Sequence, residues 1–184
     1  MAERLRLFVA LELPREARDA LAAFRDRAGG DVWRPLRDEA LHLTLAFLGH
    51  RPAEDVEVVR EVLRVSGGGA AAVPLVLGDA LLLPPRRARV LCAEVDDVDG
   101  ALSALQRRVS ADLVEAGVYE AERRPFRAHA TVARLRSGAR APREWSGGGP
   151  EPVAFDGGPL TLFRSHLGRD GAAYEPLVQV RLGS

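Results

Sequence analysis

The chain of 184 residues is long enough for one domain with a sizeable core, and 47% of it is hydrophobic. Lysine plus arginine and aspartate plus glutamate number 26 each, so the formal net charge is +0, which argues against a protein that coats nucleic acid by bulk charge. Every one of those cations is arginine, which excludes Walker-loop, Schiff-base and lysyl-adduct chemistry, and the single Cys92 excludes an internal disulfide or a multi-cysteine metal cluster.

The N-terminal run alternates, with Leu5, Leu7, Val9, Leu11 and Leu13 on one side, and predicts a first strand. Glu12 and Pro14 interrupt it well short of a membrane span or a signal sequence, so a cytoplasmic location is expected. Pro14 then opens a helix with Ala17, Leu21, Phe24 and Ala28 on one stripe, ended by Gly29-Gly30. A strand over 42–48 follows, closed by Gly49. Pro52 opens a second helix that carries Val56, Val59, Val62 and Leu63 and runs out at Gly67-Gly68-Gly69. Two strands over 73–83 and 89–95 are joined by Pro84-Pro85-Arg86-Arg87, with Cys92 read as a buried strand residue. A third helix, capped by Asp96 or Asp97, carries Val98, Leu102, Leu105, Val109 and Leu113 and ends at Gly117. A strand over 129–135, a Gly147-Gly148-Gly149-Pro150 linker and two last strands near 160–166 and 177–182 complete the chain. The order predicts an α+β fold of mainly antiparallel sheets with helices outside, and no glycine run stands where a dinucleotide fingerprint would.

Two of these strands carry the same signature. His42-Leu43-Thr44-Leu45-Ala46-Phe47-Leu48 and His129-Ala130-Thr131-Val132-Ala133-Arg134-Leu135 share histidine, threonine, alanine and leucine at identical offsets. Strand alternation projects each histidine and its threonine from one face. Histidine is the side chain whose ordinary pKa lies near neutrality, so two imidazoles across a cleft can take a proton from a nucleophile and give one to a leaving oxygen at phosphorus. Thr44 and Thr131 are then placed to hold phosphoryl oxygens. One copy alone reads as a polar pair on a half-buried strand; the repeat in matched contexts points to function. The echo of strand, helix and His-x-Thr strand suggests two lobes with His42 and His129 on opposite walls of one groove.

These residues resemble the two-histidine phosphoesterase superfamily, and within it the bacterial and archaeal RNA 2′,3′-cyclic phosphodiesterases, historically called 2′-5′ RNA ligases. The resemblance extends to Arg6-Leu7-Phe8-Val9-Ala10-Leu11 with Pro14, to Arg124-Pro125-Phe126-Arg127-Ala128, and to Leu162-Phe163-Arg164-Ser165-His166-Leu167-Gly168 with Gly171 and Tyr174-Glu175. It departs at Ala128, where the family usually has proline, and at Ala46, where it often has lysine. The resemblance implies one bilobal domain over 1–184, with two mainly antiparallel sheets and outer helices around a central groove in a pseudo-twofold arrangement. It implies hydrolysis of a terminal 2′,3′-cyclic phosphate to a 2′-phosphate, without metal or other cofactor. His129 would be the proton acceptor that activates water, His42 the proton donor to the departing 3′ oxygen, and Arg134 a phosphate contact. The expected partner is an RNA or oligonucleotide with a cyclic phosphate end; no membrane and no obligate protein partner are implied, and a monomer is expected. Two further readings stay open: an ATP-independent 2′-5′ RNA ligase using the same chemistry, and a non-catalytic RNA- or nucleotide-binding module.

Strict alternation would turn Arg134 away from His129, so a phosphate contact requires the strand to end or bulge near Ala133. Phe47 falls on the leucine face of its strand and is expected in the core, and Trp33 is expected to pack rather than stack on a base. His50 and His166 lie outside the signature and are expected to be non-catalytic. Neither motif carries the close histidine or carboxylate partner usual for zinc, so no metal site is expected. Arg123, Arg124 and Arg127, and Arg86, Arg87 and Arg89, read as solvated charged faces, with guidance of an RNA strand as the alternative.

Overall fold

The computed structural model describes residues 3–168 and 171–182. The alternating N-terminal run forms β1 (Arg4–Glu12), with Leu5, Leu7, Val9 and Leu11 buried in the main core. Helix α1 (Arg15–Arg27) starts directly after Pro14 and buries Ala17, Leu21 and Phe24. Two short elements that the periodicity does not reveal follow: β2 (Trp33–Pro35) and a 3₁₀ turn at Asp38–Ala40. Trp33 is buried, as expected.

Strand β3 (His42–Pro52) runs past Gly49 instead of closing there. Gly49 has φ +73°, a left-handed conformation that glycine adopts without steric cost, and the register with β1 shifts at this point, so the residue makes a bulge. Helix α2 (Asp55–Gly68) keeps its last turn through Gly67 because Val180 packs against it: a Cβ there would lie 3.1 Å from the Val180 side chain. Strands β4 (Pro74–Leu83) and β5 (Val90–Asp97) form the expected hairpin. Of the two candidate caps for α3 (Ala101–Glu115), Asp97 takes the role, accepting the N–H groups of Leu102 at 3.0 Å and Ser103 at 2.8 Å. Strands β6 (His129–Leu135), β7 (Ala154–Asp156), β8 (Leu160–Gly168) and β9 (Gly171–Val180) complete the order. Strand β9 begins well before the expected 177–182 run. It occupies the sheet edge, where Pro176 is tolerated because its missing N–H costs no ladder bond.

The sheet runs β7-β4-β5-β6-β3-β1-β8-β9, with β2 beside β6. Its described pairings are antiparallel, so the two expected sheets are two four-stranded halves, β7-β4-β5-β6 and β3-β1-β8-β9. They join through one residue pair, Leu43 opposite Ala130. Both side chains are buried, and the ladder gains no second rung. The pseudo-twofold relation is visible in connectivity: β1-α1-β3 in one half matches β5-α3-β6 in the other. Helix α1 leaves β1 yet packs on β6 and β7, while α3 leaves β5 and reaches β3, so each helix also clamps the opposite half. Among the described residues no helix is long and apolar enough to cross a membrane.

Leu43 therefore supports both the core and the junction. Leu43→Ala should lower the unfolding free energy by about 2–5 kcal/mol, the range for emptying a buried leucine site. Urea unfolding monitored by circular dichroism measures this, and a midpoint within error of the parent would show that the rung is not a structural keystone.

Candidate active site

The rung between Leu43 and Ala130 places the two signatures face to face. In antiparallel register about that pair, His42 stands across from Thr131 and Thr44 across from His129, all on the face opposite the leucines. The His129 imidazole is anchored by the carbonyl two residues before it. His129 Nδ1–H donates to Arg127 O at 2.7 Å. His42 Nε2 lies 3.1 Å from Thr44 Oγ1, so in the neutral ring the hydroxyl donates to it. Both rings thus present Nε2 to the groove.

Each His-x-Thr strand bulges at the same offset after its threonine. Leu45 is the extra residue between the pairs Ala10–Thr44 and Val9–Ala46, and Val132 is the extra residue between Cys92–Thr131 and Leu91–Ala133. A bulge frees a carbonyl, and each freed carbonyl finds a donor: Gln106 Nε2 reaches Leu45 O at 3.3 Å, and Leu36 N–H reaches Val132 O at 2.9 Å. The kinks invert the alternation beyond them. Arg134 consequently turns to the histidine face, by a bulge one residue earlier than Ala133. Phe47 turns the same way, which corrects the expectation of a core position: it is 40% exposed, with the Arg6 guanidinium 4.5 Å from its ring centroid.

The surroundings of the two imidazoles differ. His42 sits in an aromatic enclosure, with Phe8 at 4.9 Å, Tyr174 edge-on at 5.2 Å and Phe163 at 6.0 Å between ring centroids. These three aromatics escape an assignment from composition and spacing, although Phe8 and Ala10, apolar on the side of β1 opposite its leucines, carry the available signal. Burial brings the His42 pKa down to about 4; the Ala40 carbonyl opposes this, and the positive charges of Arg134 and His129 add to it. The resting His42 is therefore neutral. Around His129 the neighbours are polar, with Glu94 opposite it on β5 and held by Arg127.

Cys92 lies under Thr131, with Sγ 3.5 Å from Oγ1, and burial pushes its thiol up to about 11, so it is an inert packing group rather than a nucleophile. His50 is exposed, and His166 pairs with Glu175 at 2.9 Å on the β8–β9 hairpin. Among the described residues no group of three or more His, Cys, Asp or Glu side chains is arranged to hold a metal ion. What the arrangement offers is two Nε2 atoms, two hydroxyls and a guanidinium around one gap.

Comparison with known proteins gives a consistent picture. The family model described as the 2′-5′ RNA ligase superfamily matches residues 13–169. The RNA 2′,3′-cyclic phosphodiesterase of Escherichia coli (strain K12) is 30% identical over 183 residues, covering 96% of this chain and 96% of that protein. The RNA 2′,3′-cyclic phosphodiesterase of Geobacillus stearothermophilus is 28% identical over 158 residues. That match covers 83% of this chain, which spans about half (46%) of that relative's length. The crystal structure of E. coli LigT complexed with 3′-AMP aligns with a TM-score of 0.79 over 99% of this chain and 100% of that one, at 26% identity.

The depressed pKa of His42 yields a direct test. Its ring resonances should titrate near pH 4 in the free protein, and saturating inorganic phosphate should raise the midpoint by roughly 1–3 units, because an anion in the groove offsets Arg134 and His129. Histidine-selective NMR reads both midpoints. A midpoint that phosphate leaves in place would show that His42 does not face the anion.

Proposed function

Because the chain belongs to the 2′-5′ RNA ligase superfamily, we propose that it is an RNA 2′,3′-cyclic phosphodiesterase that opens a terminal 2′,3′-cyclic phosphate to a 2′-phosphate. The observation that carries this reading is the pair of imidazoles set across one rung, His42 with Nε2 on the Thr44 hydroxyl and His129 with Nδ1 committed to the Arg127 carbonyl.

His129, with its Nδ1–H committed to the Arg127 carbonyl, has its Nε2 lone pair free to take a proton from water. The water oxygen bonds to phosphorus as the bond from phosphorus to the 3′ oxygen breaks, and that oxygen takes a proton from His42 Nε2. Thr44, Thr131 and Arg134 hold the non-bridging oxygens, where the guanidinium meets the charge of the pentavalent transition state. His42 is neutral at rest, so its proton arrives with the substrate: the diester anion offsets the burial and the Arg134 charge that hold the pKa down and raises the imidazole into working range. A ribose 5′-hydroxyl in the position of the water would run the same displacement as a ligation, the activity that the family's description carries. The expected form is a monomer acting on RNA ends in the cytoplasm.

His42→Ala and His129→Ala should each lower kcat by about 10²–10⁴ while circular dichroism stays unchanged, and added chelator should leave the wild-type rate intact. Activity abolished by chelator and restored by a divalent ion would overturn the two-imidazole mechanism. The regiochemistry is a separate test. Phosphorus NMR of the product from a cyclic-phosphate oligonucleotide should show a 2′-phosphate, and mainly 3′-phosphate would exchange the roles of His42 and His129. Including a 5′-hydroxyl oligonucleotide in the same reaction distinguishes hydrolysis from ligation.

A further inference from the structure

A net charge of +0 conceals a segregation of charge. Beyond the C-terminal end of β6 lies a cleft of about 1470 Å³, walled by the β4–β5 connection and by the chain after β6. Among the described residues fifteen line it, of which seven are arginines and none is acidic, against equal numbers of basic and acidic residues in the whole chain. Some arginines elsewhere are neutralised: Arg15, Arg25, Arg51, Arg60, Arg64, Arg127 and Arg164 each pair with a carboxylate. Among the described residues none of the cleft arginines does so.

The walls are pinned by backbone hydrogen bonds. Arg87 N–H reaches Pro84 O at 3.1 Å, Leu135 N–H reaches Arg89 O at 2.8 Å, Arg136 N–H reaches Val32 O at 2.9 Å and Ala139 N–H reaches Arg136 O at 3.1 Å. The like charges are therefore held around a formed concavity, where their fields add and attract an anion. The volume exceeds the roughly 300–1,000 Å³ of a pocket for one small ligand, which favours an extended polyanion. No aromatic side chain lines it, so it offers contacts to phosphates and no platform for bases. It also adjoins the active site through one residue. Arg34 pairs with Arg134 across β2 and β6, and it lines both this cleft and a small cavity shared with Arg134 and Tyr174.

We propose that this arginine cleft is a phosphate track for the single-stranded RNA leading 5′ from the reacting terminus. The protein then selects oligonucleotides over cyclic mononucleotides through backbone contacts, without reading base sequence. The proposal rests on the reading of the groove as an RNA phosphodiesterase site. Its test uses a hexanucleotide ending in 2′,3′-cyclic phosphate, a cyclic mononucleotide, and the variant Arg86→Ala/Arg87→Ala/Arg140→Ala, whose altered residues are all exposed. The variant's kcat/KM for the hexanucleotide should fall at least tenfold relative to the mononucleotide. The dependence of log kcat/KM on log salt should flatten by about 2, from a slope near 0.7 per lost single-strand phosphate contact. Fluorescence anisotropy with the same hexanucleotide bearing an ordinary 3′-phosphate reads the cleft without chemistry, and the variant should lose affinity and salt slope there too. An inactive wild-type that still shows this binding loss would overturn the hydrolase reading and uphold the track. Equal losses on both cyclic substrates, hexanucleotide binding unchanged in the variant, or displacement of the RNA by polyglutamate of equal charge at equal concentration would overturn the track.

Discussion

One backbone rung, Leu43 to Ala130, joins two four-stranded halves, and the site follows from its being single. A longer ladder between β3 and β6 would close the halves into one flush surface. The bulges at Leu45 and Val132 redirect both strands just past their threonines, and β2 takes over the edge of β6 from Ala133 onward. The strands therefore touch where the histidines and threonines stand and part beyond them. The same bulges give each half a new groove residue at an identical offset, Phe47 in one and Arg134 in the other.

The two halves repeat a backbone but not an environment. Ala10 underlies Thr44 where Cys92 underlies Thr131, and the Phe8, Phe163 and Tyr174 enclosure of His42 has no counterpart around His129. Desolvation makes one imidazole a reluctant cation. A symmetric frame thus holds two imidazoles in different surroundings, which suits the proposed displacement with its one donor and one acceptor. The arginines extend the same logic outward. Guanidinium binds phosphate through a planar fork, and every lysine-or-arginine position of the chain is arginine.

Much of this was legible in the residues. Alternation predicted β1 and both signature strands, spacing predicted three helices, and the repeated His-x-Thr marked the face on which chemistry is proposed. Even the kink in β6 was legible as a condition, because Arg134 lies an odd number of residues from His129. Phe47 was misplaced by the same parity rule, since its bulge depends on a carbonyl satisfied by Gln106, 61 positions away. Periodicity also could not see the three-residue strands β2 and β7, nor the early start of β9, which only an edge position permits.

Side-chain period is a property of neighbours along the chain, so the sequence by itself determined which elements form, which faces they bury and which residue types stand ready for proton transfer. Register, bulge position and desolvation belong to contacts between distant segments. Only the tertiary structure decided that Phe8, Phe163 and Tyr174 enclose His42, that the rung sets His42 across from Thr131, and that arginines from three separate segments line one cleft. Each of those facts arises where strands far apart in sequence meet, and there the energetics of pairing and burial override the local pattern.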